Sequence, residues 1–294
     1  MPDPIVSRTV SANAIDFVTL ECGDPDAPLA LCLHGFPDSA HTWRHLLPRL
    51  AATGYRAVAP FMRGFAPTSI PNDGVYQTAA LGRDANALHD ALGADGRAVI
   101  IGHDWGAPAT YAAAVLAPDR WSKVVGMSVP PWGAMGRAFL GNLDQLHRSW
   151  YMFFFQHPLS NVVVGANDLA FIEWLWRQWS PNLHSDADVH NAKACLSEPT
   201  HLQAALGYYR AVFGAGPHDP ALADDHARVS NDQPTQPVLY LHGVDDGCIG
   251  IDVARDAAAH APTNATVREV AGAAHFLHLE QPDTVNALIC DFVA

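Results

Sequence analysis

The stretch that most constrains this chain is Ala98-Val99-Ile100-Ile101-Gly102-His103-Asp104-Trp105-Gly106. A run of apolar, mostly β-branched residues ends in Gly-X-Asp-X-Gly and leads into an Ala-rich segment, the pattern of a buried strand, a sharp turn and a helix. It is the nucleophile-elbow pattern with aspartate where serine is more usual. The glycines matter because a strained turn and close strand–helix packing leave no room for a Cβ. The residue at the tip is pushed out of the sheet, beside the free N–H groups of the helix start. Those groups and the helix dipole favour a carboxylate over a carboxylic acid. Asp104 is therefore expected to be ionised at the head of a cleft. The same residues also fit an ordinary N-cap Asp after a strand, so the choice falls to the rest of the chain.

Around this stretch, strands and helices alternate. Two short strands are expected within 5–22, and apolar strands at 28–33, 55–60 and 124–129. Helices are expected at 42–53, with Trp43, Leu46, Leu47 and Leu50 as the apolar stripe, at 76–92, and after the elbow to about 117. Continuously apolar strands alternating with helices mean a doubly wound, mostly parallel α/β sheet. Ligands of such sheets sit beyond the carboxyl ends of the strands, where His34, Arg63 and Asp104 fall. The alternation stops after Pro130-Pro131. Aromatic-rich helices are expected instead, at 143–156, 169–179, 187–196 and 200–213. Strands then resume at 237–241 and 265–270, with helices at 251–260 and after Pro282. The expectation is one core domain with eight strands (1–131 and 227–294) and a helical cap inserted at 132–226.

Composition narrows the function classes. With 49% hydrophobic residues the chain can bury a sizeable core. A net charge of -13 without a Lys/Arg cluster argues against nucleic acid and anionic membranes as partners. No signal-peptide core or membrane-spanning run is present, so a cytoplasmic address is expected. The five cysteines form no Cys-X-X-Cys pair and read as reduced thiols. The sixteen histidines show no His-X-X-X-His or His-Glu-X-X-His spacing, so no metal site is expected.

Three titratable groups follow strand ends in the order Asp104, Asp246, His275. Nucleophile, acid, histidine is the order of α/β-hydrolase triads. His275 is the natural base, and Asp246 would hold its ring and stabilise the imidazolium. Asp245 is the rival for that role. A carboxylate nucleophile suits an sp3 carbon with a leaving oxygen or halide, and the product is an alkyl ester on Asp104. Water deprotonated by His275 would then attack the ester carbonyl. The resulting oxyanion needs donors, for which the backbone N–H groups of Trp105 and Phe36 are the candidates; Pro37 can place a cis bond beside the latter. An epoxide oxygen also needs a proton as the ring opens. Tyr151, which shares a helix face with Phe155, and Tyr209, on the stripe Leu202, Leu206, Tyr209, Phe213, are placed to supply it. Tyr208 lies about 100° away on that helix and reads as packing or surface.

These residues carry a resemblance. The chain resembles the α/β-hydrolase-fold epoxide hydrolases over nearly its whole length, through His34-Gly35-Phe36-Pro37, Arg63-Gly64-Phe65, Gly102-His103-Asp104-Trp105-Gly106, the Tyr-x-x-x-Phe-Gln of Tyr151 to Gln156, Tyr209-Arg210, Asp246 and His275. The resemblance implies Asp104 as nucleophile, Asp246 and His275 as charge pair, Tyr151 and Tyr209 as ring-opening donors, and Phe36 and Trp105 as oxyanion amides. Phe36, Trp105 and Phe155 would line the substrate site. The implied enzyme needs no cofactor, converts an epoxide to a vicinal diol, and would be a monomer or homodimer. Relatives often carry an acid in Asp-x-Arg-Gly, where this chain has Phe61-Met62 before Arg63. The alternatives are a haloalkane or haloacid dehalogenase of the same fold, and a non-catalytic protein binding a small ligand.

Overall fold

The computed structural model describes residues 4–214 and 216–294. Eight strands form one sheet: β1 (Val6–Ala12), β2 (Ile15–Cys22), β3 (Leu29–Leu33), β4 (Arg56–Pro60), β5 (Val99–His103), β6 (Lys123–Met127), β7 (Val238–Gly243) and β8 (Ala265–Val270). Their spatial order is β1-β2-β4-β3-β5-β6-β7-β8. The β1–β2 and β2–β4 pairs are antiparallel and the other five pairs are parallel. Every residue of β3, β5 and β7 is buried, as their unbroken apolar runs require when helices cover both faces. Each fully buried Val, Ile or Leu there contributes about 1.5–3 kcal/mol. The edge strand β1 is largely exposed and β8 half-buried, and both read as mixed polar sequence.

The helix Gly106–Leu116 lies hard against the middle of the sheet. Its alanines Ala107, Ala109, Ala112 and Ala113 are fully buried, and a Cβ on Gly106 would come within 2.0 Å of the Leu33 carbonyl oxygen. Small residues thus set the spacing that brings β3 and β5, and the loops after them, into contact.

The expected helix at 42–53 is broken. A 3-10 turn covers Ala40–His45, and an α-helix, Leu47–Ala52, begins afresh with Pro48 in its first turn. Proline lacks the N–H that a continuous helix would need there. Between β6 and β7 the described residues form helices and loops only. The expected 143–156 helix is two pieces, Leu143–Arg148 and Trp150–Phe154, preceded by a further helix, Ala134–Gly141, that starts after Gly133 in the left-handed region. The expected 169–179 helix belongs to a longer segment, Leu159–Trp179, kinked where Asn167, Asp168 and Leu169 take positive φ. Asp186–Leu196 and Pro199–Phe213 follow the expected positions closely. A last helix, Ala223–Asn231, packs on the helices Thr78–Ala91 and Gly106–Leu116, with Arg228 donating to the Val115 carbonyl. No helix among the described residues is long and apolar enough to cross a membrane.

Candidate active site

Asp104 follows β5 with φ +51°, a conformation that costs a non-glycine residue about 1–3 kcal/mol unless its surroundings enforce it. The Asp104 N–H donates to the Met127 carbonyl at the end of β6, and the side chain is thereby turned out over the carboxyl edge of the sheet. Oδ1 accepts the Phe36 backbone N–H at 2.7 Å. The Phe36–Pro37 bond beside it is cis. The approach of the β3 loop to this carboxylate requires Gly35: a Cβ there would stand 2.2 Å from Asp104 Oδ1 and 2.5 Å from the Trp105 nitrogen.

Across the site, His275 sits in the loop after β8, fully buried. Its Nδ1 lies 3.0 Å from Asp246 Oδ2, and its Nε2 lies 3.4 Å from Asp104 Oδ2, an ion-pair distance without hydrogen-bond alignment. Asp246 is buried, and its Oδ1 accepts the backbone N–H groups of Cys248 and Ile249 at 2.7 and 2.9 Å. Asp245 is exposed. Burial opposes charge on His275, but the carboxylates of Asp246 and Asp104 outweigh it and push the imidazole up to about 10. Burial likewise opposes charge on Asp246, yet His275, His242 and the Ile249 N–H hold its carboxyl below the usual range. The geometry therefore favours the charged form of His275, held between Asp246 and Asp104.

The backbone of His275 is held as firmly as its ring. Its carbonyl accepts from His103 Nε2 at 2.8 Å and Ser128 Oγ at 2.7 Å, and its N–H points to the Trp179 carbonyl at 3.4 Å. The Trp179 carbonyl also takes the Gly247 N–H at 3.1 Å. Burial first, and then the neighbouring His278 and His275, keep His103 well below the ordinary imidazole range, so it serves as a neutral donor. Burial also takes His34 down to about 4. Its Nε2 accepts the Met62 N–H while Nδ1 faces the Gly35 carbonyl, each at 3.0 Å, bracing the loops after β3 and β4.

An apolar cavity of about 200 Å³ opens over Asp104. Trp105, Tyr151, Tyr209 and Ile249 line its buried end, and Met135, Phe139, Met152 and Val212 its more exposed end. Tyr151 Oη contacts Cys248 Sγ at 3.3 Å. Tyr209 Oη is buried with no hydrogen-bond partner among the described residues. Burial raises both phenols well above their ordinary range, so both carry their protons. The Tyr209 ring stands edge-on to Trp105, Phe36, Phe155 and Tyr151 at 5.0–5.7 Å.

Phe36 and Phe155 do not form the cavity wall. They are buried behind the tyrosines, in edge-to-face contact with each other at 5.6 Å. Arg63 is also remote from the cavity: it is 1% exposed and grips Asp84 through Nε and Nη2 at 2.5 and 2.8 Å, with Nη1 on the Val75 carbonyl. Tyr208 is buried packing, stacked on Tyr76 and donating to the Arg63 carbonyl. Trp176 donates to the Pro37 carbonyl at 2.7 Å and stacks on Phe276. Trp179 meets the His275 ring edge-on at 5.0 Å.

Sequence reasoning missed Ser128, the tie through Trp179, and a polar cluster behind His275. The ligand-capable atoms of Asp38, His103 and His278 lie within 4.8 Å of one another. Sixty-five or more residues separate each from the next, so no spacing announces them. Burial raises Asp38 to about 8 and lowers His278 to about 3, and Asp38 Oδ2, His103 Nδ1 and His278 Nδ1 have no hydrogen-bond partner among the described residues.

A family model described as alpha/beta hydrolase fold matches residues 28–282. The chain belongs to the alpha/beta hydrolase fold family. Within that family it is similar to Epoxide hydrolase 1 of Caenorhabditis elegans, 26% identical over 98% of this chain and 70% of the relative. A shorter match, 39% identical, covers 51% of the chain and 48% of Epoxide hydrolase A of Mycobacterium tuberculosis. Among solved structures, Epoxide Hydrolase A from Mycobacterium thermoresistibile superposes with a TM-score of 0.80 at 26% identity, covering 98% of both chains. The sheet order, the elbow after β5 and the helical excursion after β6 thus belong to a shared alpha/beta hydrolase frame.

Proposed function

We propose that the protein is a cofactor-independent epoxide hydrolase working through an ester on Asp104, with the helices between β6 and β7 as its cap. One observation carries the reading. A carboxylate at positive φ faces a cavity walled by two protonated, buried phenols, and a histidine–carboxylate pair stands behind it. The relatives named epoxide hydrolase support the same reaction.

In the first step an Asp104 oxygen attacks an epoxide carbon. The C–O bond breaks with its electron pair going to oxygen, and a phenol, Tyr209 or Tyr151, gives that oxygen a proton. Esterification removes the charge of Asp104. His275 then loses one of its two carboxylate neighbours and can return a proton to the phenolate, which leaves it neutral and able to act as base. Water, deprotonated by Nε2, attacks the carbonyl carbon of the ester. The oxyanion forms where the Phe36 N–H already points, with the Trp105 N–H beside it. The acyl–oxygen bond breaks, the leaving alkoxide takes the proton of the hydroxyl that water added, the diol leaves, and Asp104 is again a carboxylate with one oxygen from water while His275 keeps the proton it took. Asp246 holds the ring so that the lone pair faces the ester.

A single turnover of styrene oxide in 18O water, with enzyme in excess, tests this sequence. The diol should be unlabelled and the Asp104 peptide should gain one 18O. Label appearing directly in the first diol would refute attack by Asp104.

A further inference from the structure

The wall of the cavity, taken as chemistry, limits which epoxides can enter. We infer that the site takes small, uncharged epoxides carrying one apolar substituent, and that Val212 and Met135 at the mouth set this preference. The inference rests on the epoxide reading above. Among the described residues, Asp104 is the one ionisable group on the wall apart from the two phenols, and no Lys, Arg or His side chain lines it. The remaining polar wall residues are Thr78 and Ser149, and Ser149 Oγ is already occupied by the Gln145 amide at 2.9 Å.

A substrate anion would find no cationic side chain on the wall among the described residues. His275, behind the wall, is already flanked by the carboxyl groups of Asp104 and Asp246, so the cost of desolvating a substrate anion goes uncompensated. Size acts in the same direction. A cavity of about 150 Å³ is enough to hold benzene, so about 200 Å³ accommodates one ring, or a short alkyl chain, together with an oxirane. The oxirane must lie at the buried end beside Asp104. There Trp105, Tyr151, Tyr209 and Ile249 are 1–8% exposed and leave no path for a second bulky substituent. The single substituent points instead toward Met135, Phe139, Met152 and Val212, on the helices Ala134–Gly141, Trp150–Phe154 and Pro199–Phe213. Val212 is 48% exposed while lining the cavity, which marks it as a rim residue.

The experiment compares kcat/KM for 4-methylstyrene oxide, 4-carboxystyrene oxide and trans-stilbene oxide in the wild-type enzyme and in Val212→Arg. The wild type should prefer the methyl compound over the carboxylate by at least about 30-fold, the effect of about 2 kcal/mol for burying an unpaired polar group, and over stilbene oxide by at least about 10-fold. Val212→Arg places a cation at the rim. It should raise the ratio of carboxylate to methyl compound by at least about 10-fold at low salt, and the gain should vanish at 1 M salt. Met135→Lys, on a different helix, should shift the ratio in the same direction. Comparable wild-type rates for the methyl and carboxylate compounds, with an ester on Asp104 seen by mass spectrometry, would overturn this inference and leave the epoxide reading intact. Failure of all three compounds to react or to esterify Asp104 would overturn the reading itself.

Discussion

The resting imidazolium gives a prediction that can be worked from distances. His275 Nε2 stands 3.4 Å from Asp104 Oδ2. At an effective dielectric of about 20, a unit charge at that distance is worth about 5 kcal/mol to the imidazolium. Against burial, Asp246 first and Asp104 with it carry His275 from 6.5 to about 10, so Asp104 is one of two sources of that displacement. Asp104→Asn removes the charge, as ester formation does, but keeps a carbonyl oxygen to accept the Phe36 N–H. The imidazole should then fall by more than one pH unit, with the pull of Asp246 still set against burial. The assay is a 15N NMR titration of the His275 ring in both proteins. The same change should appear in stability. A histidine whose folded value is raised contributes stability that is fully present below about 6.5 and is lost as pH rises toward about 10. Wild-type protein should therefore lose denaturant resistance across that window, and Asp104→Asn should lose less. If His275 titrates within one pH unit in the two proteins, the charge of Asp104 does not set its protonation, and the proposed switch from acid to base on esterification is wrong.

Three further outcomes follow from the geometry. His275→Gln should esterify but not hydrolyse, so mass spectrometry should find the Asp104 peptide carrying the substrate skeleton; normal turnover would exclude His275 as base. Tyr209→Phe should slow ring opening more than Tyr151→Phe, because Tyr209 Oη is free while Tyr151 Oη is engaged by Cys248; stopped-flow measurement of the first step separates them, and equal losses would contradict the asymmetry. Asp84→Asn leaves the buried Arg63 with only the longer contact to Asp73, 3.5 Å from Nη1, and should cost about 3–5 kcal/mol in urea unfolding, whereas a loss under 1 kcal/mol would show Asp73 to be a sufficient partner.

The central strands were legible because their residues are buried on both faces and are mostly apolar. The elbow was legible because close approach demands glycine at 102 and 106. Helix breaks were harder. The break around Leu46 needed Pro48 to be weighed as a helix start within an otherwise continuous stripe. The left-handed residues 167–169 have no glycine among them to mark the kink; Leu169 is buried and Asp168 pairs with Lys193 from the next helix, contacts that local sequence does not record. The pairing of His275 with Asp246, 29 residues apart, was foreseeable from chain order. The support from His103, Ser128 and Trp179, brought from three separate elements, was not. Phe155 shows the limit of helical spacing: it shares a side with Tyr151 and its ring meets that of Tyr151 at 5.6 Å, yet Phe36 and Tyr209 pack around it and it does not line the cavity.

The double use of the Trp179 carbonyl bears on motion. One oxygen at the end of the Leu159–Trp179 segment receives amides from the loop carrying Asp246 and from His275 itself. Trp176 fastens the same segment to Pro37. A swing of the whole insertion away from the sheet would break the bonds that keep the charge pair aligned, so traffic through the mouth has to be local, at Ala134–Gly141, while the Trp179 end stays fixed. In native-state hydrogen exchange, the His275 and Gly247 amides should open only with global unfolding, and those of Ala134–Gly141 by small, low-energy openings. Equal protection at the two places would mean that the insertion moves as one piece.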